Sequence, residues 1–188
     1  MKRPLSLLER IRARLERDRR AFLLRYLQRD GISAEIGVWR GEFSRRILQA
    51  TRPRELHLID PWQFMPEFPT RIYGGSQAKS QADMDEIFHA IVNELGSHPA
   101  VRIHRVTSRE AARSFADETF DWVYIDGNHS YEYVLDDLAL FTPKVRRGGL
   151  VTGDDYRKGV KRAVDEFAAS GRAEVVSLLN RQFVLRRV

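Results

Sequence analysis

Cysteine is absent from the 188 residues. Disulfides, thiolate metal sites and cysteine nucleophiles are therefore excluded, and a reducing, cytoplasmic setting is expected. No apolar run approaches the ~18–20 residues that a membrane-spanning helix needs. The first residues, MKRPLSLLERIRARLERDRR, are charged throughout and lack the uninterrupted apolar core of a secretory signal. No linker, low-complexity tract or internal repeat interrupts the chain, so its length reads as one domain, large enough to bury a core without staples. The body also lacks an excess of either charge. The net charge is +6, but residues 1–30 hold ten Lys/Arg against four Asp/Glu, and the remainder carries 22 of each sign. The basicity belongs to one segment and not to a groove across the body, which argues against nucleic acid as a partner.

That segment is predicted as a helix over 4–29. Leu8, Ile11, Leu15, Phe22 and Tyr26 fall near one face with arginines on the others, and Gly31 can end it. Residues 1–31 are expected to form a basic amphipathic helix packed on a domain spanning 32–188. Contact with a second copy, as a homodimer, or with an acidic surface are the other uses of such a face.

Beyond Gly31 the pattern alternates. Short apolar runs at 33–38, 55–60, 101–106, 120–126 and 148–153 suit buried strands, and helical stretches at 42–50, about 79–95, 108–116, 130–142 and 157–169 lie between them. This order predicts an α/β fold with a parallel sheet, helices on both faces and right-handed crossovers. The rhythm breaks at the end. Residues 173–178 and 182–187 are strand-like runs too close together for a crossover helix, so they are expected to pair antiparallel.

Ligands of such sheets bind beyond the carboxyl ends of the strands. The first strand ends in Glu35-Ile36-Gly37-Val38-Trp39-Arg40-Gly41 and runs directly into a helix. Gly37 permits a tight turn and a close approach of ligand to backbone. A carboxylate beside a glycine turn suits a cationic, amino-bearing ligand, and Glu35 would meet the amino group of S-adenosylmethionine. The second strand ends in Asp60, 19 residues beyond Gly41, where an acid accepts from ribose hydroxyls. The spacing G-x-x-x-G lacks the middle glycine of the dinucleotide fingerprint, which favours a ligand with no pyrophosphate to cradle. Thr107 and Ser108, after the third strand, are candidates for the adenine side.

The other end of the sheet carries acids. The fourth strand ends in Ile125-Asp126-Gly127-Asn128-His129-Ser130-Tyr131 and the fifth runs into Gly153-Asp154-Asp155-Tyr156. These strands are neighbours in a doubly wound sheet, so Asp126, Asp154 and Asp155 are expected to converge. Three like charges in one cleft need a positive partner, and an all-oxygen set suits Mg²⁺, Mn²⁺ or Ca²⁺. Capping of the following helices is the structural alternative. His129, beside a cleft carboxylate, is a candidate general base, with Asp126 as the other candidate. His57, His89, His98 and His104 read as structural.

At these residues the chain resembles the metal-dependent class I O-methyltransferases related to macrolide- and aminocoumarin-sugar methyltransferases, and is similar to the mycobacterial methylmannose-polysaccharide methyltransferases. The resemblance covers roughly residues 32–187 and rests on EIGVWRG, LIDPW, YGGSQAKSQADMDEIF, FDWVYIDGNHSYEYVLDDL and GGLVTGDDY. It implies a Rossmann-like, seven-stranded, mostly parallel sheet with an antiparallel last strand. It implies Mg²⁺ on Asp126, Asp154 and Asp155, and S-adenosyl-L-methionine on Glu35, Gly37 and Asp60, with Gly41 in the same loop. It further implies methyl transfer to a hydroxyl, on a sugar or related small-molecule or oligosaccharide acceptor.

The long connection 61–80 carries Trp62, Phe64, Phe68, Tyr73 and the pair Gly74-Gly75, read as flexible. It is expected either to cover the acceptor, with Arg71 or Lys79 reaching hydroxyls, or to bury its aromatics against the body. Two other functions stand beside this one. An RNA methyltransferase would anchor through the basic helix, but the chain has no N/D-P-P-Y/F motif and no cysteine. A non-catalytic cofactor-binding module would have no use for the acid cluster.

Overall fold

The computed structural model describes residues 20–188. The greater part of the predicted 4–29 helix lies outside the described residues. Residues 20–23 are helical and 24–30 are turns and bends, so this helix stops short of the expected end at 29. The reason is packing: the turn carries Leu23 and Leu27 into the core, where both are buried, and Trp122 Nε1 donates to the Gln28 carbonyl at 3.1 Å.

Strands β1 (Ile32–Ile36), β2 (Glu55–Ile59), β3 (Val101–His104), β4 (Phe120–Ile125) and β5 (Val145–Gly153) are joined through α1 (Glu42–Thr51), α2 (Gln81–Leu95), α3 (Ser108–Ser114) and α4 (Tyr131–Phe141). After α5 (Lys158–Ala169), β6 (Ala173–Leu179) and β7 (Gln182–Arg187) close the sheet. The order is β3-β2-β1-β4-β5-β7-β6. The first five strands pair parallel; β7 lies antiparallel between β5 and β6. The expected architecture is the observed one, with the hairpin's second strand inserted inward.

Alternation within each strand fills two cores. Ala34, Ile36, Val123, Ile125 and Val151 point to the face covered by α3, α4 and α5. Leu56, Leu58, Trp122, Tyr124 and Val184 point to the other face, under Phe43 and Ile47 of α1 and Ile91 of α2. Strands covered on both faces are rich in apolar residues, which is why they read as short apolar runs. Helix starts are set by local chemistry. Ser80 and Asp83 form a reciprocal cap on α2, and Thr107 and Glu110 one on α3.

Candidate active site

Register places the functional side chains. Glu35 of β1 stands beside Tyr124 of β4, and Tyr124 beside Thr152 of β5, on the face beneath α1. Two cavities open at the carboxyl ends of these strands. The larger, about 390 Å³, meets Arg20, Glu35, Asp126, His129, Asp154 and Asp155. The smaller, about 170 Å³, meets Asp60, Met84, Thr107, Ser108, Asn128 and Asp137. Gly37, Trp39, Asp126 and Gly127 belong to both walls, so the two spaces adjoin.

Gly37 sits at φ +89° with the Asp126 carbonyl and the Gly127 amide directly against it, and a Cβ there would strike that backbone. Glycine is required by both the dihedral and the closeness of the β4 turn. Gly41, at the start of α1, packs against Ile91 and meets neither cavity. Glu35 is 1% exposed and accepts from Ser44 Oγ at 2.5 Å. Burial pushes its carboxyl up to about 8, against the pull of the Ser44 bond.

Asp60 is engaged by the backbone. Its Oδ2 accepts from the Val38 and Trp39 amides, both at 2.9 Å, and its Oδ1 from the Trp62 amide at 2.7 Å. Burial raises its pKa and these three donors oppose the rise. Trp39 and Trp62 both hold positive φ, at 53° and 41°, a conformation costly for a bulky residue. Asp60 pins both, and the Trp62 indole donates to the Trp39 carbonyl at 2.9 Å.

Asp126, Asp154 and Asp155 all border the larger cavity, as expected, but they are not arranged around one point. Arg20 Nη2 donates to Asp126 Oδ2 at 2.8 Å and to Asp154 Oδ2 at 3.1 Å. Asp155 lies on the far side of His129, whose Nε2 is 3.1 Å from Asp126 Oδ1 and whose Nδ1 is 3.4 Å from Asp155 Oδ2. Asp155 also pairs with Arg157 at 2.6 Å. Gln182 of β7 donates to Asp154 Oδ1, and Tyr124 Oη lies 3.4 Å from Asp126 Oδ2. Among the described residues, no three His, Asp or Glu side chains are arranged to hold a metal ion. The required positive charge comes from arginines, which a motif reading of the acids alone did not supply. Burial pulls the His129 imidazole down, but the bond to Asp126 and the charges of Asp126, Asp155 and Asp154 outweigh it and hold the pKa above its usual value.

The connection 61–80 divides between its two expected roles. Trp62 is fully buried, whereas Thr70, Arg71, Ile72 and Tyr73 form part of the larger cavity's wall. Lys79 donates to the Gly75 carbonyl and meets neither cavity. Gly74, expected to be flexible, is buried with the Phe68 and Met65 carbonyls pressed against it, so it is a packing glycine. Asp137 was missed. It is buried on α4 beside the smaller cavity, is hydrogen-bonded by Ser108, and burial pushes it up to about 6. The signal was an acid within the apolar stripe Val134, Leu138, Phe141. His57 and His104 form a stacked pair with ring nitrogens 2.9 Å apart, both held below their usual pKa by burial, as suits a structural role.

This sheet order, with its antiparallel insertion and two cavities over the strand ends, defines a Rossmann-like methyltransferase fold. A methyltransferase-domain family model matches residues 34–156, and the chain belongs to that family. Solved structures with the same fold include a protein from Corynebacterium glutamicum (19% identity, 94% of this chain and 88% of that one, TM-score 0.59). A geranyl diphosphate methyltransferase in complex with SAM is 14% identical over 94% and 87% of the chains, with a TM-score of 0.63. The O-methyltransferase NovP is 22% identical over 93% and 79%, with a TM-score of 0.57. No curated protein matches the sequence. Among the described residues no helix is long and apolar enough to cross a membrane.

Proposed function

We propose that the protein is an S-adenosylmethionine-dependent O-methyltransferase that transfers methyl to a hydroxyl of a sugar or related small molecule, assisted by Mg²⁺. The observation that carries this reading is the Asp126–His129 pair, 3.1 Å apart, at the junction of the two cavities. The smaller cavity suits the adenosine of the cofactor. Tyr73 Oη and Asn128 Nδ2 lie against it, buried and without a hydrogen-bond partner among the described residues, and they are available to a polar ligand. Thr107, Ser108 and Asp137 would face the adenine, and Asp60 the ribose, through lone pairs its amide donors leave over. Glu35 would take the methionine ammonium, with Gly37 admitting the ligand to the backbone; Gly41 shapes the loop behind it.

The acceptor would enter the larger cavity past Arg71 and Tyr73. Asp126 or His129 removes its proton. With both nitrogens against carboxylates the protonated imidazole is favoured, and His129 must first lose that proton to act as base, so turnover through His129 rises with pH. Asp126, Asp154 and Asp155 would hold the metal. Asp126 and Asp154 present oxygens to a single cationic nitrogen, and carboxylate oxygen is the donor a hard cation takes. When bound, the ion would acidify and orient the acceptor hydroxyl. The lack of cysteine suits a cytoplasmic enzyme.

The test is calorimetric titration of S-adenosylhomocysteine into metal-stripped protein, then Mg²⁺ into the complex, followed by methyl transfer from labelled cofactor to sugar hydroxyls. Binding in the first step and Mg²⁺-stimulated labelling support the reading. Failure to bind the cofactor product overturns it, and labelling indifferent to Mg²⁺ removes the metal.

A further inference from the structure

The acid pair at β4 and β5 already holds a cation, and that cation belongs to the chain. A single nitrogen of Arg20 bridges Asp126 Oδ2 and Asp154 Oδ2, at 2.8 and 3.1 Å. The other oxygens of both carboxylates face neighbours: Asp126 Oδ1 meets His129, and Asp154 Oδ1 accepts from Gln182. Tyr124 Oη also lies 3.4 Å from Asp126 Oδ2, and Arg20 is the cation that joins the Oδ2 atoms of the two acids.

Arg20 meets the two acids through one nitrogen and not as a fork. A fork contact would use two parallel N–H donors, but here Nη2 makes both contacts. Nε is buried without a hydrogen-bond partner among the described residues, which carries a desolvation cost that the bound state never recovers. The guanidinium carbon lies 5.4 Å from the centre of the Phe43 ring. Leu23 and Leu27, which follow it, are buried in the core, while Arg20 itself borders the larger cavity.

We propose that Arg20 and a divalent cation are alternative occupants of the Asp126–Asp154 position, so that metal enters only as Arg20 and the helical turn carrying it withdraw. This rests on the metal-assisted reading above. A Mg²⁺ ion sits ~2.0–2.1 Å from its oxygens and Ca²⁺ ~2.3–2.6 Å, so an ion on the Oδ2 pair would lie in contact with Nη2. Two positive centres at that range in a sheltered cleft repel, and both cannot stay. Withdrawal of Arg20 also removes part of the wall of the acceptor cavity. Metal loading, the position of the segment before β1 and the room for acceptor are thereby one equilibrium.

The experiment is calorimetric titration of Mg²⁺ into metal-stripped protein saturated with S-adenosylhomocysteine, in the wild type and in Arg20→Ala, Arg20→Gln and Arg20→Lys. If Arg20 fills the position about nine-tenths of the time, both neutral variants bind Mg²⁺ about tenfold more tightly than the wild type, and Arg20→Lys falls between. Equal affinity in all four proteins, or weaker binding in the neutral variants, overturns the exclusion and leaves the metal reading intact. No Mg²⁺ binding by any of them overturns both. A second measurement needs no variant: amide hydrogen exchange of residues 21–24 in the wild type should quicken on saturation with Mg²⁺. Unchanged exchange there, with the metal bound, overturns the proposal.

Discussion

Asp60 and Asp126 look alike in the sequence. Each follows an apolar strand, and those strands, β2 and β4, flank β1 on either side. Their partners differ in kind. Asp60 is held by three backbone amides, from Val38, Trp39 and Trp62. Asp126 is held by side chains, those of Arg20, His129 and Tyr124. A carboxylate fixed by amides cannot change partners without undoing its loop. One fixed by side chains can exchange them at the cost of a rotamer. The Asp60 end of the sheet is thus built into the fold, whereas the Asp126 end is assembled from side chains that can exchange partners.

Three measurements would break or sharpen that contrast. The largest expected effect is on turnover in Asp126→Asn: a loss of about 10²–10⁴-fold, as for removal of a proton acceptor. Its urea stability should fall less than that of Asp60→Ala, because Arg20 keeps its bond to Asp154 and asparagine still offers an oxygen. A large loss of stability would place Asp126 in the same class as Asp60. Next is Asp60→Ala, which strips three amides of their acceptor. At ~1–3 kcal/mol for each buried group left unpaired, discounted for water reaching the emptied space, the cost in urea unfolding should be about 3 kcal/mol. A cost below ~1 kcal/mol would show that the loop does not depend on its acid.

The smallest effect concerns a proton at Glu35. Burial lifts its carboxyl to about 8, so the free protein carries it protonated at neutral pH. A ligand ammonium beside it favours the carboxylate, so S-adenosylhomocysteine should expel up to one proton at neutral pH and bind more tightly as pH rises toward 8. Calorimetry in two buffers of different ionisation heat reads the release, and Glu35→Gln should abolish it. In the free protein the same shift has the opposite sense. The unfolded chain gives up this proton near 4.5, so stability falls as pH climbs from there to about 8. A flat stability profile across that window in the wild type would contradict the shift.

Much of this was legible in the sequence. The parallel strands announced themselves as short, mostly apolar runs separated by helical stretches, and the hairpin because its turn is too short for a crossover. Glu35, Asp60, Asp126 and Asp154 could be placed because the fold sets side chains at strand ends onto one rim. The insertion of β7 between β5 and β6 was not legible, since the pattern of a strand does not name its neighbours. Nor was Arg20, which meets Asp126 across 106 residues of chain. Acids of one sign call for a partner, but a basic segment with ten Lys/Arg offers no mark of which one answers. Gly74 was misread because a glycine that yields and a glycine that is crushed are the same letter.

The place of β7 bears on when this molecule can first work. β5 runs into the acids Asp154 and Asp155, yet its outer neighbour is a strand that begins at Gln182, and Gln182 itself donates to Asp154. A ribosome that has released β1 to β5 has delivered every acid of the site but left β5 as a raw edge. Translation must pass β7 before that edge is paired and Asp154 is steadied. The smaller cavity, whose walls are complete once α4 is out, therefore takes shape earlier in synthesis than the acid end of the sheet.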